Sequence, residues 1–317
     1  MYHAFQRVLR EIVLILCFFL PRARKKRLER WLRGREDALK LAQADSVVVS
    51  YGKSGRTWLR VMVSRFYQLK HGLSERHLIG FDNLHRRNPE IPRILFTHDN
   101  YLTDYTGNAG SKTDYLGKKV VLLVRHPADV AVSQYFQWKF RMRPVKKFLN
   151  DYPAHGQDIS IYDFVMWESS GLPKIIEYLN LWAREAERIG ALHVVRYEDM
   201  RAHTQEVLRG IVEFIGGPAD AETIAEAVEF ASVENMRALE QKKVFWLAGG
   251  RMVPGDKSNP NSFKVRRAKV GGYRDYFDDA QVARIESLIA ERLDPSFGYG
   301  QAGEKPAHAG EDSAASG

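Results

Sequence analysis

The run SVVVSY (46–51) passes directly into GKSGRTW (52–58), and a helical pattern begins at once. Trp58, Met62, Phe66 and Leu69 share one helical face, while Arg60, Ser64 and Lys70 fall largely elsewhere. A strand that turns through a glycine-containing loop into a helix N-terminus aims backbone N–H groups and the positive end of the helix dipole at one point. That point suits an anion. Lys53 adds a mobile positive charge, Ser54 and Thr57 add hydroxyl donors, and Gly55 permits the tight turn. Three more β-branched runs follow: RILFTH (93–98), KVVLLVR (119–125) and LHVVRYE (192–198). Helical stretches lie after them, over 130–140, 175–189 and 279–293. Continuous apolar strands need both faces covered. The expected fold is therefore α/β, a three-layer α/β/α sandwich around a central, mostly parallel sheet of the P-loop-containing nucleotide-binding type.

The competing reading of the loop is the nucleoside-triphosphate pattern G-x-x-x-x-G-K-[ST], whose last three residues match Gly52-Lys53-Ser54. Its first glycine falls on Val47, inside the strand, so the pattern fails. Kinases of that class also end a later apolar strand in a carboxylate that supports Mg²⁺. Here VVLLV ends in Arg125, and a guanidinium attracts a phosphate directly and repels a metal. The two strand ends together point to a polyanionic ligand bound without a metal, and no Cys/His cluster has metal-ligand spacing.

The chain carries a formal charge of +9 and a single cysteine, Cys17. The charge suits nucleic acid, an anionic membrane or a polyanionic small molecule. One cysteine permits no intramolecular disulfide and argues for a reducing, cytoplasmic compartment. Residues 1–44 read as a separate N-terminal segment, 45–300 as the main α/β domain, and 301–317, almost free of apolar bulk, as a disordered tail. Within the first segment, IVLILCFFL (12–20) is too short to span a bilayer and is followed directly by PRARKKR (21–27). Two readings stay open for residues 1–35: a peripheral anchor on the cytoplasmic face of a membrane, or a core-packed helix with a solvated basic face. The stretch 247–261 is rich in Gly, Pro, Asn and Ser and reads as a lid loop.

Four ordered motifs resemble the sulfotransferase family that uses 3′-phosphoadenosine 5′-phosphosulfate (PAPS). YGKSGRTW (51–58) resembles its 5′-phosphosulfate loop, commonly Y-P-K-S-G-T-T-W. RHPADVAVSQYF (125–136) resembles its 3′-phosphate motif, RYEDM (196–200) its Y-E-D strand end, and RRAKVGGYRDYF (266–277) its C-terminal R-K-G element. The resemblance implies that Lys53, Ser54, Gly55, Arg56, Thr57 and Trp58 hold the phosphosulfate end of the donor. By the same resemblance Arg125 and Ser133 grip the 3′-phosphate with Arg266, Arg267 and Ala268, and Tyr197 lies near the adenine. His98, at the end of RILFTH, matches the family's catalytic histidine and is expected to act as general base, with Lys53 stabilising the leaving oxygen. The departures are Gly52 and Arg56 in the loop, Ala268 in place of the triplet's glycine, Val233 where an adenine-facing Phe is usual, and Phe96 where a lysine precedes Thr-His.

The implied activity is in-line transfer of a sulfuryl group from PAPS to a hydroxyl of a lipid headgroup, glycan or other alcohol, with no metal and no nucleic-acid partner. The acceptor is expected against the insertion 141–171, with Phe148, Tyr152, Tyr162 and Trp167, and under the 247–265 loop, with Phe245 and Trp246. Two rivals remain at this level: an ATP-dependent P-loop kinase, and a non-catalytic polyanion- or membrane-binding protein. Oligomeric state is not legible.

Overall fold

The computed structural model describes residues 2–242, 256, 258–264 and 269–300. Its four strands are β1 (Ser46–Val49), β2 (Ile94–Thr97), β3 (Lys119–Val124) and β4 (Leu192–Arg196). They form one sheet in the order β2-β1-β3-β4, and every pairing is parallel, where the sequence predicts a mostly parallel sheet. In chain order the first helices are α1 (Tyr2–Leu16), α2 (Arg22–Gln43), α3 (Arg56–Lys70) and α4 (Leu102–Thr106). After β3 come α5 (Pro127–Phe140), α6 (Pro144–Leu149), α7 (Ile161–Val165) and α8 (Leu172–Ile189). After β4 come α9 (Tyr197–Ala202), α10 (Thr204–Gly216), α11 (Ala221–Phe230), α12 (Val233–Gln241) and α13 (Asp279–Arg292).

The strand alternation divides the core in two. Val47, Val49, Val120, Leu122 and Val124 face one layer, where they meet Ile175, Leu179 and Trp182 of α8 and Ile285 and Ile289 of α13. Val48, Val121, Leu123 and Val195 face the other, against Leu59, Met62 and Phe66 of α3 and Ile211 of α10. Both faces of β1 are fully buried, which is why its sequence is an unbroken apolar run rather than an alternating one.

The chain leaves β1 for β2 on one side and then returns to place β3 on the other. In open α/β sheets the connections diverge at such a reversal and leave a crevice at the carboxyl ends of the strands. Register gathers those ends: Val49 pairs with Thr97 and with Leu122, and Val124 with Arg196. Ser50, His98, Arg125 and Tyr197 follow directly.

The N-terminal helices take different roles. α2 is docked on the body: Gly34 lies so close to the Tyr101 carbonyl that an added Cβ would sit 2.2 Å from it. Arg30 pairs with Asp104 at 2.9 Å and donates to the Leu149 carbonyl at 2.7 Å. α1 lies on α2 through Arg10–Glu36 (2.8 Å) and Arg35–Gln6 (3.0 Å). No helix among the described residues is long and apolar enough to cross a membrane. The tail 301–317 and most of the expected lid, 247–255 and Lys257, lie outside the described residues.

Candidate active site

A cavity of about 1290 Å³ opens at the carboxyl ends of the strands. From β1 and the turn after it come Tyr51, Gly52, Lys53, Gly55, Arg56 and Thr57; β2 contributes His98 and β3 contributes Arg125. Trp58 of α3, Ser133 of α5 and Tyr197 at the start of α9 complete the predicted set on its wall. Ser54 is the exception: it is buried and is not on the cavity wall. Arg266, Arg267 and Ala268 lie outside the described residues.

The turn after β1 is conformationally demanding. Lys53 has φ 78° and Gly55 φ 96°. At Gly55 glycine is required twice over, by the left-handed backbone and because a Cβ would lie 2.6 Å from the Tyr197 ring. Gly55 is also the N-cap of α3 and offers no side-chain cap, and with Arg56 and Thr57 it sets the positive end of the helix dipole on the cavity wall.

His98 is oriented by the neighbouring strand. Its Nδ1 lies 2.8 Å from the Ser50 carbonyl, and a carbonyl only accepts, so Nδ1 carries the proton and Nε2 bears the lone pair. Burial pushes the imidazole pKa well below its ordinary value; Arg56 lowers it further, the Ser50 carbonyl opposes, and Lys264 and Arg60 add to the depression. The ring is neutral at pH 7. Asp99 does not orient it: this buried carboxylate accepts from Lys112 Nζ at 2.5 Å and from the Tyr115 hydroxyl at 2.8 Å.

Arg125 pairs with Asp129 at 3.2 Å and donates to the carbonyls of Lys269 (3.0 Å) and Lys53 (3.5 Å). Its guanidinium stands 4.4 Å from the centre of the Tyr197 ring. Asp129 in turn accepts from the main-chain N–H groups of Gly271 and Tyr273, both at 2.9 Å. This one buried carboxylate ties the end of β3 to the C-terminal element. Tyr273 is fully buried and stacks on His126 at 5.0 Å. At the far side of Tyr197, Trp58 donates to the Ala231 carbonyl at 2.8 Å, and Val233 lines the wall beside it.

Other wall residues lie outside the set predicted from the sequence. Arg60 lies one turn after Arg56, and its guanidinium stands 4.1 Å from the centre of the Phe96 ring. Its i+4 spacing from the loop arginine was a usable signal. Lys264 reaches the wall because its main-chain N–H donates to buried Glu240 at 2.8 Å, the same carboxylate that holds Arg141 at 3.0 Å. Burial lowers the Lys264 pKa well below its ordinary value, with Lys53, Arg141, Arg56 and Arg60 adding to the effect. Arg30, Asn100, Tyr101, Lys146 and Asn150 form another part of the wall. Among the described lining residues Lys and Arg outnumber Asp and Glu by more than two to one.

The aromatic residues expected around the acceptor are mostly elsewhere. Tyr152 lines the cavity and accepts from Gln134. Phe148 and Trp167 are on the surface, and Tyr162 packs edge-on against Phe277 at 6.0 Å. Phe245 and Trp246 lie outside the described residues. Periodicity cannot separate these cases, since each residue sits in a short helix or turn whose facing partner is set by tertiary packing. No group of three or more His, Cys, Asp or Glu among the described residues is placed to hold a metal ion.

The fold and this cavity define an α/β protein with a cation-rich site at the carboxyl ends of a parallel sheet. Residues 43–297 match the family model of the sulfotransferase domain, and the chain belongs to that family: it is a sulfotransferase. It is 25% identical over 290 residues to a flavonol 3-sulfotransferase of Flaveria bidentis, covering 84% of this chain and 88% of that one. It is 23% identical over 279 residues to human sulfotransferase 2A1, covering 83% and 88%. Among solved structures it resembles mouse sulfotransferase SULT7A1 complexed with PAP (TM-score 0.54, 20% identity, 81% of this chain and 89% of that chain). It also resembles a retinol dehydratase in complex with retinol and PAP (TM-score 0.56, 18% identity, 83% and 86%). The kinase and non-catalytic readings are set aside by the family.

Proposed function

We propose that this sulfotransferase passes the sulfuryl group of PAPS in line to a hydroxyl of a polar acceptor, with His98 as general base. The observation that carries the reading is that His98, Lys53 and Arg125, from three different strand ends, open on one cavity. The surplus of cations on its walls fits a bisphosphorylated donor. The positive end of the α3 dipole, with Gly55, Arg56 and Thr57 on the cavity wall, fits its 5′ end, and Arg125 fits its 3′-phosphate, with Nε buried and without a hydrogen-bond partner. Trp58, Tyr197 and Val233 supply apolar surface for the adenine. The solved neighbours' complexes with PAP support the same donor.

In this reading the acceptor oxygen forms a bond to sulfur as the bond from sulfur to the 5′-phosphate oxygen breaks. The hydroxyl proton goes to Nε2 of His98, the nitrogen left bearing a lone pair by the Ser50 contact. Lys53 neutralises the charge that grows on the departing phosphate. Arg60, stacked on Phe96, restores a positive charge where the family's lysine before Thr-His is absent. The polar wall of Tyr101, Lys146 and Asn150 supports a lipid headgroup or glycan over a bare phenolic ring.

The test is calorimetric binding of PAP, with labelled-PAPS transfer into lipid and glycan extracts run beside it. The expected result is PAP binding that is unchanged by EDTA, with transfer that disappears in His98→Ala. Transfer at the wild-type rate in His98→Ala removes the base assignment. Loss of PAP binding on adding EDTA removes the metal-free donor site.

A further inference from the structure

Helix α1 turns Gln6, Arg10 and Leu14 towards α2 and leaves most of its apolar residues outward, with exposed Glu11 at their edge. Gln6, Arg10 and Leu14 recur at four-residue spacing on the side against α2, where Arg10 pairs with Glu36 and Arg35 with Gln6. Val8, Ile12, Ile15 and Leu16 follow the i, i+4, i+7, i+8 spacing of a single stripe on the other side, and Phe18 and Phe19 follow in the turn after the helix. That stripe is in solvent: Ile15 is 69% exposed and Leu16 66%, with neighbouring Phe18 at 79% and Phe19 at 70%. Hydrogen bonds from Cys17 N–H to Val13 and from Phe18 N–H to Ile15 carry the helical direction into the turn. A soluble helix normally turns its apolar side to the core, and an apolar patch of this size on a folded surface marks an interaction site.

The surroundings say what covers it. No carboxylate occurs between residues 12 and 28, while Arg22, Arg24 and Arg27 stand exposed on the first turns of α2. A band of aromatic and aliphatic side chains rimmed by arginines fits an anionic bilayer, with the apolar groups entering the acyl boundary and the cations meeting headgroup phosphates. The patch also continues towards the cavity. Arg22 and Lys26 both stand over the Phe148 ring, at 5.7 Å and 5.2 Å, and Lys26 pairs with Asp151, which lines the cavity wall. Half-exposed Val145 lies three residues before Phe148 on α6, on the same side.

We propose that the outward stripe of α1 and the arginines at the start of α2 dock the enzyme on an anionic lipid bilayer, with the Phe148 edge of the cavity beside the surface. Docking is independent of which acceptor the active site takes. The anchor is residues 8–27; α2 beyond it is part of the folded body.

The experiment is co-sedimentation of the full chain with phosphatidylcholine vesicles, with and without phosphatidylglycerol, alongside PAP calorimetry on the same samples. The expected result is pelleting with the anionic vesicles only, weakened by salt. Phe18→Glu with Phe19→Glu, and separately Arg22→Glu with Arg24→Glu and Arg27→Glu, are each expected to cut partitioning about tenfold or more while PAP affinity stays at the wild-type value. A wild-type chain that stays in the supernatant with both vesicle types overturns the proposal. So does undiminished pelleting of the variants, or a concentration-dependent dimer in light scattering that Phe19→Glu dissociates, since a second copy would then cover the stripe. Because PAP affinity reports the active site and pelleting reports the stripe, failure of one is separable from failure of the other.

Discussion

The Ser50 carbonyl, just past the end of β1 and ahead of the lysine-bearing turn, lies 2.8 Å from Nδ1 of His98. The end of β1 therefore both presents the anion-binding loop and sets the tautomer of the imidazole carried by β2. This is a tertiary contact across 48 residues of sequence.

Its first consequence is a pH dependence. A base works in its neutral form, and burial with Arg56 nearby holds the His98 pKa well below 6.5. The acid limb of the free-enzyme kcat/KM profile is expected below pH 6.5, with activity maintained at neutrality and lost only as pH falls through the depressed value. Arg56→Ala removes one depressing charge and is expected to move that limb upward. An acid limb at or above 6.5 in the wild type contradicts the assignment. His98→Ala is expected to lower kcat by about 10²–10⁴.

Arg60 gives a second expectation. Arg60→Ala removes the guanidinium over Phe96 and should lower kcat by about tenfold or more while the PAP dissociation constant changes little. Arg60→Lys keeps a charge but not the planar stack, and is expected to recover part of the loss. Steady-state kinetics with PAP calorimetry separate these effects. Equal weakening of PAP binding and turnover would assign Arg60 to the donor instead.

Asp129 holds Arg125 on one side and the main chain of Gly271 and Tyr273 on the other. Arg125→Ala is expected to weaken PAP binding by about tenfold to a hundredfold, the scale of a charge-assisted hydrogen bond. Adenosine 5′-phosphosulfate, which lacks the 3′-phosphate, should lose much less. Asp129→Asn should reproduce part of the PAP loss by releasing the C-terminal element. An identical loss for both nucleotides in Arg125→Ala would break the link to the 3′-phosphate.

The Asp99–Lys112 pair predicts a change in stability rather than in chemistry. Both side chains are almost fully buried, and the Lys112 ammonium also lies 4.9 Å from the Trp182 ring centre. Asp99→Ala strands that ammonium and is expected to destabilise the fold by about 3–5 kcal/mol, read as a lowered urea midpoint. The PAP affinity of the folded fraction should be kept. A wild-type midpoint would show that the pair is not holding this corner of the fold.

The loop from Gly52 to Trp58, Arg125 at the end of β3 and His98 at the end of β2 were all legible in the sequence, because strand, turn and helix N-terminus are local and each leaves a short-range signature. So was the α/β layering, since β1 is apolar throughout and α3 has one apolar face. The roles of Asp129, Arg60 and Lys264 were not, because each depends on a partner brought in by packing: the turn at 269–273, the ring of Phe96, the carboxylate of Glu240. The same reason explains Phe148, Trp167 and Tyr162, aromatic residues whose surroundings are decided by which helix lies opposite.

At the N-terminus the sequence determined that residues 12–20 are apolar and that cations follow; local composition requires nothing more. Only the tertiary structure decided that Arg10 and Gln6 bind α2 and so turn Ile12, Ile15, Leu16 and Phe19 to solvent. For the site as a whole, chain-local geometry determined which residues stand at strand ends. The strand order β2-β1-β3 decided that those ends share a cavity, because parallel neighbours in register place their carboxyl tips side by side whatever their separation along the chain.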